Sequence, residues 1–295
     1  MDLPLDHLRT LAAVVGEGSL EGAAKRLHIT PSAVSQRIRA LEERVGSVLL
    51  RRTRPIEVTD AGATVLRGAR QVEQIVGDIA AELEQGSSGT ALIPLVVNAD
   101  SLATWFVPAL ARAARETGAR FEVLRADETI STEKLQSGEA MAALTATKLA
   151  VPGCASTLIG VDHYYAVAQP EFARQFFADG VNATTLAAAP QIEFDRHDMF
   201  QQRFIRRVTR TRVNPPRHFV PSSTEFATAI ELGMGWGMLP AMQCRESLDA
   251  GRLVEIVPDS SIKLPLYWQR WNLKSPVLDA LSAVIADEAR QALGA

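Results

Sequence analysis

The stretch from Ser19 to Val45, SLEGAAKRLHITPSAVSQRIRALEERV, constrains the fold more than any other part of the chain. Its second half carries apolar residues at the spacing of one face of an α-helix: Val34, Ile38, Leu41 and Val45. Thr30 is a good N-cap for this helix, and Pro31 suits the first turn because no backbone donor is needed there. The first half predicts a shorter helix with one apolar face: Leu20, Ala23, Ala24 and Leu27. Two short helices joined at His28-Ile29 are typical of a helix–turn–helix unit.

The other face of the second helix, and the segment after it, carry groups that contact nucleic acid. Short hydroxyls, amides and guanidiniums reach base edges and phosphates. The candidate DNA-binding residues are Pro31, Ser32, Ser35, Gln36, Arg37, Arg39, Arg52 and Arg54. Residues 37–54 hold six arginines against two glutamates, so the favourable charge is local. A small three-helix bundle with a solvated charged face is the alternative.

The arginines continue into LLRRTRPIEVT, which predicts a short β-hairpin, or wing, with Pro55 at its turn. At this point a family resemblance becomes plain. GSLEGAAKRLHITPSAVSQRIRALEERVGSVLLRRT and the closing VTDAG resemble the winged helix–turn–helix of the LysR-type transcriptional regulators. The resemblance implies a DNA-binding domain over residues 1–59. The wing between Arg52 and Thr59 is one residue shorter than the commonest form in that family.

Composition is that of an ordinary globular protein, with a charge that differs along the chain. The net charge of −3 divides into +1 for residues 1–65 and −4 for the remainder, so the acidic excess lies outside the predicted DNA-binding domain. Neither a membrane span nor a signal peptide is recognisable, and we expect a cytoplasmic protein without membrane contact. Cys154 and Cys244 fit no zinc spacing and are interpreted as buried thiols, with a redox-sensing pair as the alternative.

The sequence predicts neither an enzyme nor a metal or cofactor site. No ligand-spaced cluster is formed by the five histidines, which are His7, His28, His163, His197 and His218. The chain also lacks the G-x-S-x-G motif of a nucleophile elbow and the motif of a phosphate-binding loop. We therefore expect no catalytic residues.

A long helix is predicted from Ala61 to Gln85, with Asp60 as its cap. Apolar residues recur along it every 3.5 positions, as in a coiled coil: Val65, Ala69, Val72, Val76, Ile79 and Leu83. We interpret residues 60–89 as a linker and dimerisation helix followed by a hinge at residues 86–89, with an amphipathic core helix as the alternative. The resemblance agrees, because LysR-type regulators dimerise through this helix, and it implies a homodimer or a homotetramer.

From residue 91 onward, candidate strands alternate with candidate helices, which favours an α/β fold with largely parallel sheets. The candidate strands are 91–98, 121–126, 141–146, 164–169, 191–194, 217–221, 236–240, 252–257 and 266–271. The candidate helices include 101–116, 131–137, 171–178, 197–207, 223–232 and 276–292. The resemblance implies an effector-binding domain over residues 90–295, with two lobes like those of periplasmic binding proteins. Lobe I would take residues 90–161 and 265–295, and lobe II residues 162–264.

Polar residues at the strand ends mark a candidate effector site, because ligands of open α/β sheets lie there, near helix N-termini. The candidates are Asn98, Asp100, Ser101, Trp105, Asp127, Glu128, Thr145, Asp195, Ser222 and Ser223. Each serine or aspartate alone is more simply explained as a helix cap. Together they offer helix ends for a carboxylate and carboxylates for a cation, which fits a zwitterionic amino acid with an added basic group.

Several segments sharpen the resemblance to one branch of the family. VNADSLATWFVPAL, the ADE of RADETIST, PGC, EFDRHD, FVPSS and LYWQRW resemble the lysine- and arginine-responsive ArgP/LysG regulators. This implies a sequence-specific regulator that binds double-stranded promoter DNA and a basic amino acid, controls amino-acid export or metabolism genes, and acts with RNA polymerase. Ile130 and Thr224-Glu225 depart from the residues usual in that branch. The alternatives are a LysR-type regulator with another effector, a solute-binding protein and an architectural DNA-binding protein.

Overall fold

A computed structural model describes residues 2–51, 53, 56–83, 92–126 and 128–294. The predicted wing residues Arg52, Arg54 and Pro55, the predicted hinge at 86–89 and the candidate Asp127 lie outside these residues. The chain divides into two compact units. The first contains residues 1–97, 110–157 and 268–284, and the second contains residues 98–109, 158–267 and 285–295.

The first unit begins with three short helices, a two-stranded hairpin and a long helix. Their bounds are α1 Leu5–Glu17, α2 Leu20–Leu27, α3 Pro31–Val45, β1 Leu50–Arg51, β2 Glu57–Val58 and α4 Asp60–Leu83. The strands β1 and β2 are antiparallel, with Leu50 opposite Val58. The structure confirms the predicted helix–turn–helix and the wing strands.

Local hydrogen bonds explain why the first helices begin where they do. The hydroxyl of Thr30 accepts from the backbone N–H of Ala33 at 3.2 Å, as the sequence predicts for an N-cap. Ser19 caps α2 in the same way, by accepting from the N–H of Gly22 at 3.0 Å. His28 takes a left-handed backbone (φ 54°) after α2, so the chain turns there before α3.

The apolar stripe of α3 is buried in the core of the N-terminal bundle. Val34 and Leu41 are fully buried there, and Ile38 is almost so. The long helix α4 joins this core through Leu66 and Ala69, both fully buried. This corrects part of the dimerisation stripe: Ala69 is buried within its own chain, and Val65 packs against the same core.

The start of α4 is fixed by a close approach to the segment before β1. Thr59, rather than the predicted Asp60, supplies the cap, because its hydroxyl accepts from the N–H of Gly62 at 3.0 Å. A Cβ atom on Gly62 would lie 2.0 Å from the carbonyl oxygen of Leu49, so only glycine fits here without a backbone shift.

Further along, α4 contacts a loop in the later part of the same unit. The guanidinium of Arg67 donates to the carbonyl oxygens of Gln136 and Pro152, both at 3.4 Å. Arg70 donates to the carbonyl oxygen of Gly138. Gly138 has a left-handed backbone (φ 76°), and a Cβ there would lie 2.6 Å from the Cα of Arg67. The side of α4 that carries these arginines is therefore covered by its own chain.

The rest of the chain alternates strands with helices, as predicted. The elements are β3 Leu92–Val97, α5 Ala99–Ser101, a single π-helical turn Leu102–Phe106, α6 Val107–Thr117, β4 Arg120–Arg125, α7 Glu128–Gln136, β5 Ala142–Thr145, β6 Cys154–Ala168, α8 Pro170–Phe177, α9 Ala183–Ala188, β7 Gln191–Glu193, α10 Phe200–Thr209, β8 Arg217–Phe219, α11 Ser223–Glu231, β9 Gly237–Pro240, α12 Ala241–Asp249, β10 Val254–Glu255, β11 Ile262–Trp271 and α13 Pro276–Leu293. The strand predicted at 164–169 begins ten residues earlier than expected, and the helices α9 and α12 were not predicted.

Strand direction differs between the two units. In the first, β3 is parallel to both β4 and β5. In the second, β7 and β8 are parallel, but β6 is antiparallel to both β9 and β10. The expectation of largely parallel sheets is thus wrong for the second unit, because alternation of strands and helices does not by itself fix strand direction.

The compact units also differ from the predicted lobe boundaries. Residues 98–109 belong to the second unit, where Asp100 is hydrogen-bonded to Tyr164 and Ser223. Residues 285–295 belong there as well, and Leu293 lies against Gly160. The division into lobes remains a prediction, with these two segments reassigned.

We predict that Gly62→Ala lowers the free energy of unfolding by about 1–3 kcal/mol, the usual cost of overpacking. The added methyl group would collide with the backbone at Leu49. The matched control is Gly68→Ala in the same helix, where a Cβ meets nothing within 4 Å. That change should raise stability by up to about 1 kcal/mol, since alanine favours helix over glycine. Thermal unfolding followed by circular dichroism measures both; equal stabilities would contradict the prediction.

Candidate DNA-binding and effector-binding sites

The outer face of α3 presents most of the residues predicted to contact DNA. Five of the predicted residues are exposed: Pro31, Ser32, Ser35, Gln36 and Arg39. The opposite face is buried in the bundle, so the helix is fixed while these polar groups point to solvent. Such a face can lie in the major groove of a duplex.

Arg37 is placed differently from the rest of the predicted set. Its guanidinium lies 3.5 Å from the hydroxyl of Thr10 and 3.6 Å from the carboxylate of Asp6, both on α1. The side chain therefore links α3 to α1. Its predicted contact with DNA stays a prediction beside this role in positioning α3.

The wing brings further positive charge next to α3. Arg51 in β1 is exposed. Arg52 and Arg54, the two predicted wing contacts, lie outside the described residues, so their role remains a prediction.

The middle of α4 carries an exposed apolar face. Ile75 and Ile79 are 40% and 52% exposed, which is unusual for isoleucine in a folded chain. Val72 and Val76 are half-buried. The side chain of Leu83 lies outside the described residues. Self-association through this face remains a prediction, centred on residues 72–79 rather than on the whole helix.

Asp100 is the centre of a hydrogen-bonded group in the second unit. Its two carboxylate oxygens accept from the hydroxyl of Tyr164 at 2.7 Å and from that of Ser223 at 2.6 Å. The amide of Gln243 in turn donates to the Ser223 hydroxyl at 2.7 Å. Because Asp100 itself is only half-buried, its carboxylate is both oriented by the protein and partly open to another partner.

Two further carboxyl groups lie within electrostatic range of Asp100. Burial raises the pKa of Asp162 to about 6, and the charge of Asp100 adds to this. Burial also raises the pKa of Asp198, again with a contribution from Asp100. The pKa of Asp100 itself is raised by burial, against the lowering effect of its hydrogen bonds with Ser223 and Tyr164. In the part of the chain that the structure describes, no arginine or lysine lowers these three pKa values, and a bound cation would favour the ionised forms.

The helix that follows Asp100 contains a π-helical turn and two polar groups without partners. The turn spans Leu102–Phe106, and such turns occur frequently at functional sites. The hydroxyl of Ser101 and the indole N–H of Trp105 are buried, and neither has a hydrogen-bond partner within the described residues. Both were predicted effector contacts, and those two assignments stay predictions.

Other predicted effector residues are used in local turns. Asn98 caps α5, since its side-chain oxygen accepts from the N–H of Ser101 at 3.2 Å. Asp195 accepts from the backbone N–H groups of His197 and Asp198. The hydroxyl of Ser222 donates to the carboxylate of Glu225. Of these residues only Asn98 caps a helix, since Ser222 makes no cap hydrogen bond and Asp195 holds a turn before α10. Their local contacts leave Asp195 and Ser222 as weaker candidates than Asp100.

Thr145 belongs to the core of the first unit. It is buried, and its hydroxyl accepts from the amide of Gln269 at 3.1 Å. This contact gives Thr145 a structural role, and its assignment as an effector contact stays a prediction. Asp127 lies outside the described residues, as does the side chain of Glu128, so both remain predictions.

Sequence reasoning missed four residues of the group around Asp100: Asp162, Tyr164, Asp198 and Gln243. One signal was available, because Asp162 and Tyr164 are two positions apart in a strand and so share a face. Gln243 lies on α12, a helix that was not predicted, and could not have been found in this way.

Within the described residues, no group of histidine, cysteine and acidic side chains could hold a metal ion. No helix of the described part is long and apolar enough to span a membrane. Both cysteines are unpaired, and burial raises the pKa of Cys154 to about 11 and that of Cys244 to about 12. Cys244 is buried, as predicted, whereas Cys154 is only half-buried. Thiols with raised pKa values are poor nucleophiles.

Comparison with known proteins gives two family matches. Residues 5–63 match the bacterial regulatory helix-turn-helix protein, lysR family, and residues 93–290 match the LysR substrate binding domain. The HTH-type transcriptional regulator LysG of Mycobacterium tuberculosis is 38% identical over 280 residues, which cover 95% of this chain and 91% of the relative. The lysine export transcriptional regulatory protein LysG of Corynebacterium glutamicum is 37% identical over 294 residues, covering 97% and 98%.

Solved structures agree with the sequence matches. ArgP from Mycobacterium tuberculosis has a TM-score of 0.87 at 37% identity, with 96% of each chain covered. Full-length LysG from Corynebacterium glutamicum with bound effector Arg has a TM-score of 0.82 at 34% identity, with 98% of this chain and 99% of the other covered. On the combined evidence of sequence and fold, the chain belongs to the LysR family of bacterial transcriptional regulators, which are not enzymes.

Proposed function

We propose that this protein binds promoter DNA through α3 and the wing, and that a basic amino acid, lysine or arginine, modulates that binding from the second unit. The observation that carries the effector part is the oriented carboxylate of Asp100 among other buried acidic groups. The regulated genes would serve export or metabolism of that amino acid, as the name of the Corynebacterium relative suggests.

The DNA part is supported by the form of α3. Its exposed face offers an amide in Gln36 and a guanidinium in Arg39, groups that pair with adenine and guanine edges or with phosphates. The rigid bundle beneath holds this face in place. Self-association through residues 72–79 of α4 would bring two such helices to two half-sites, which multiplies specificity.

The effector part is supported by charge. A lysine or arginine side chain would offset the acidic groups around Asp100, while the buried hydroxyl of Ser101 and the indole N–H of Trp105 offer donors for a carboxylate. The relative solved with bound Arg is similar to this chain over nearly its full length. A different small effector is the second candidate, since Ile130 and Thr224-Glu225 depart from the usual residues.

For regulation, the effector must bind one arrangement of the protein better than another. A cation next to Asp100 would favour one arrangement over another if the two differ in how residues 98–109 contact Tyr164 and Ser223. We place the protein in the cytoplasm, where promoter DNA and RNA polymerase are found.

We expect Arg39→Ala to weaken DNA binding and to reduce its salt dependence, by about 0.9 in the slope of log K against log salt for each phosphate that the protein no longer neutralises. Gln36→Ala should relax sequence preference, because a good side-chain pair with a base discriminates by about 1–3 kcal/mol. Fluorescence anisotropy with duplexes that the wild-type protein enriches from a random pool provides the measurement. Arg174→Ala, at an exposed position of α8, is the control. If both variants match that control, α3 does not read DNA.

We expect calorimetry to show binding of L-arginine or L-lysine, and no binding of L-leucine or of L-citrulline, the neutral analogue of arginine. Asp100→Asn should weaken the binding about 10- to 100-fold, because a hydrogen bond to a charged group contributes about 1.5–3 kcal/mol. Asp249→Asn, at an exposed aspartate of the same unit, should have no effect. Binding of citrulline as strong as that of arginine would exclude charge recognition at Asp100.

Affinity for arginine should fall as pH falls through about 6, the pKa of Asp162. The raised pKa means that Asp162 takes up a proton in this range, which removes a negative charge that favours a cationic ligand. The loss should reach at most tenfold per pH unit, since one pKa unit corresponds to about 1.36 kcal/mol. Titrations at about pH 7.5 and about pH 5.5, on either side of that pKa, test this, with Asp162→Asn as the variant whose affinity should change less. A wild-type affinity equal at both values would contradict it.

A further inference from the structure

A group of exposed arginines lies in the second unit, far along the chain from the residues expected to bind DNA. Residues 195–217 hold seven arginines, no lysine and two aspartates, although the whole chain has a net charge of −3. All seven are exposed, and we call them the arginine patch: Arg196, Arg203, Arg206, Arg207, Arg210, Arg212 and Arg217. The segment is at least as basic as residues 37–54.

Four members of the patch form a stripe along α10 and its cap. They stand at positions i, i+3, i+4 and i+7, which share one face of a helix: Arg203, Arg206, Arg207 and Arg210. The opposite face buries Gln201, Phe204 and Ile205. The helix is thus anchored by one side and presents guanidiniums on the other.

Interactions within the chain use only part of the patch. Arg217 lies 3.5 Å from the carboxylate of Glu193, and Arg207 donates to the carbonyl oxygen of Ser261 at 2.9 Å. Arg196 and Arg203 lie over the rings of nearby phenylalanines. The side chains of the remaining three make no hydrogen bond or ion pair with any residue that the structure describes: Arg206, Arg210 and Arg212.

A simpler explanation covers only some of these residues. Cations near the C-terminus of a helix stabilise it by about 0.3–1 kcal/mol, which suits Arg206 and Arg207 in the last turn of α10. It does not explain Arg203 in the first half of that helix, nor Arg212 beyond its end. The concentration of like charge, without matching acidic residues, therefore indicates a polyanionic partner.

We propose that the arginine patch is a second DNA-binding surface, which contacts the phosphate backbone without reading sequence. Arginine rather than lysine fits this role, because its planar guanidinium binds phosphate through two parallel hydrogen bonds. The stripe from Arg203 to Arg210 spans about 10 Å at a rise of about 1.5 Å per residue. A DNA strand presents a phosphate about every 3.4 Å along its axis, so several lie within reach of the stripe.

An acidic protein surface is the other polyanion that such a patch could meet. Duplex DNA is favoured because the same chain carries a DNA-binding helix–turn–helix, and a duplex held by one module is at high local concentration for a second. Even a weak second contact then strengthens the complex. Binding of DNA by this surface requires no effector.

The test compares two full-length triple variants of equal charge. The first replaces the three arginines whose side chains have no partner among the described residues, as Arg206→Gln, Arg210→Gln and Arg212→Gln. The control removes the same charge from exposed positions elsewhere, as Arg115→Gln, Arg174→Gln and Lys263→Gln. Affinity for a random-sequence duplex of about 60 base pairs is measured by anisotropy over a range of potassium chloride concentrations, beside Arg39→Ala and the wild type.

We expect the patch variant to lose about 0.9 in salt slope for each phosphate that is no longer neutralised, and roughly tenfold in affinity at about 0.1 M salt, while the control matches the wild type. Arg206→Lys, Arg210→Lys and Arg212→Lys together should restore most of the slope. Unchanged circular dichroism confirms that the variants fold.

If the patch variant has the same DNA affinity and salt slope as the control, the proposal is wrong. If Arg39→Ala still weakens DNA binding in that case, the proposed role of α3 stands. A second arm measures binding of poly-L-glutamate. If the patch variant keeps its affinity for DNA but loses its affinity for poly-L-glutamate, the arginine patch binds an acidic protein and the DNA proposal fails.

Discussion

The carboxylate of Asp100 is the interaction on which the organisation of the second unit depends. It joins three segments that are distant in sequence, because it accepts from Tyr164 on β6 and from Ser223 at the start of α11. A carboxylate taken from water is costly unless donors surround it. These hydroxyls offset part of that cost, but burial still raises the pKa of Asp100, so a bound cation would stabilise its ionised form.

Charge is distributed unevenly, and this reconciles an acidic protein with a polyanionic partner. Outside residues 1–65 the chain carries an excess of acidic groups, yet residues 37–54 and 195–217 are each strongly basic. Since fields at a surface are local at physiological salt, with a screening length of about 8 Å, the net charge says little about what each face binds. Buried acids around Asp100 and exposed arginines on α10 can thus serve different ligands in one unit.

Much of the fold follows from the sequence, because the N-terminal helices carry clear apolar periods and good caps such as Thr30. The candidate site was partly predictable for a similar reason: Asp100 and Ser223 stand at strand ends, where ligands of α/β folds bind. Other features depend on contacts between distant segments. Nothing in the spacing of Arg37 shows that Asp6 and Thr10 draw it towards α1, and nothing around Thr145 shows that Gln269 encloses it. Strand direction in the second unit depends on tertiary pairing in the same way.

The docking of α4 against the loop that contains Gly138 has a mechanical consequence. One helix is built into the core of the DNA-binding bundle through Leu66 and Ala69, and it is also fastened by Arg67 and Arg70 to the loop after α7. Because a helix is stiff over such short distances, α4 connects the DNA-binding bundle rigidly to the loop after α7. Since the backbone of Gly138 lies directly against that of Arg67, a shift of that loop would act on α4 and, through it, on the bundle that contains α3.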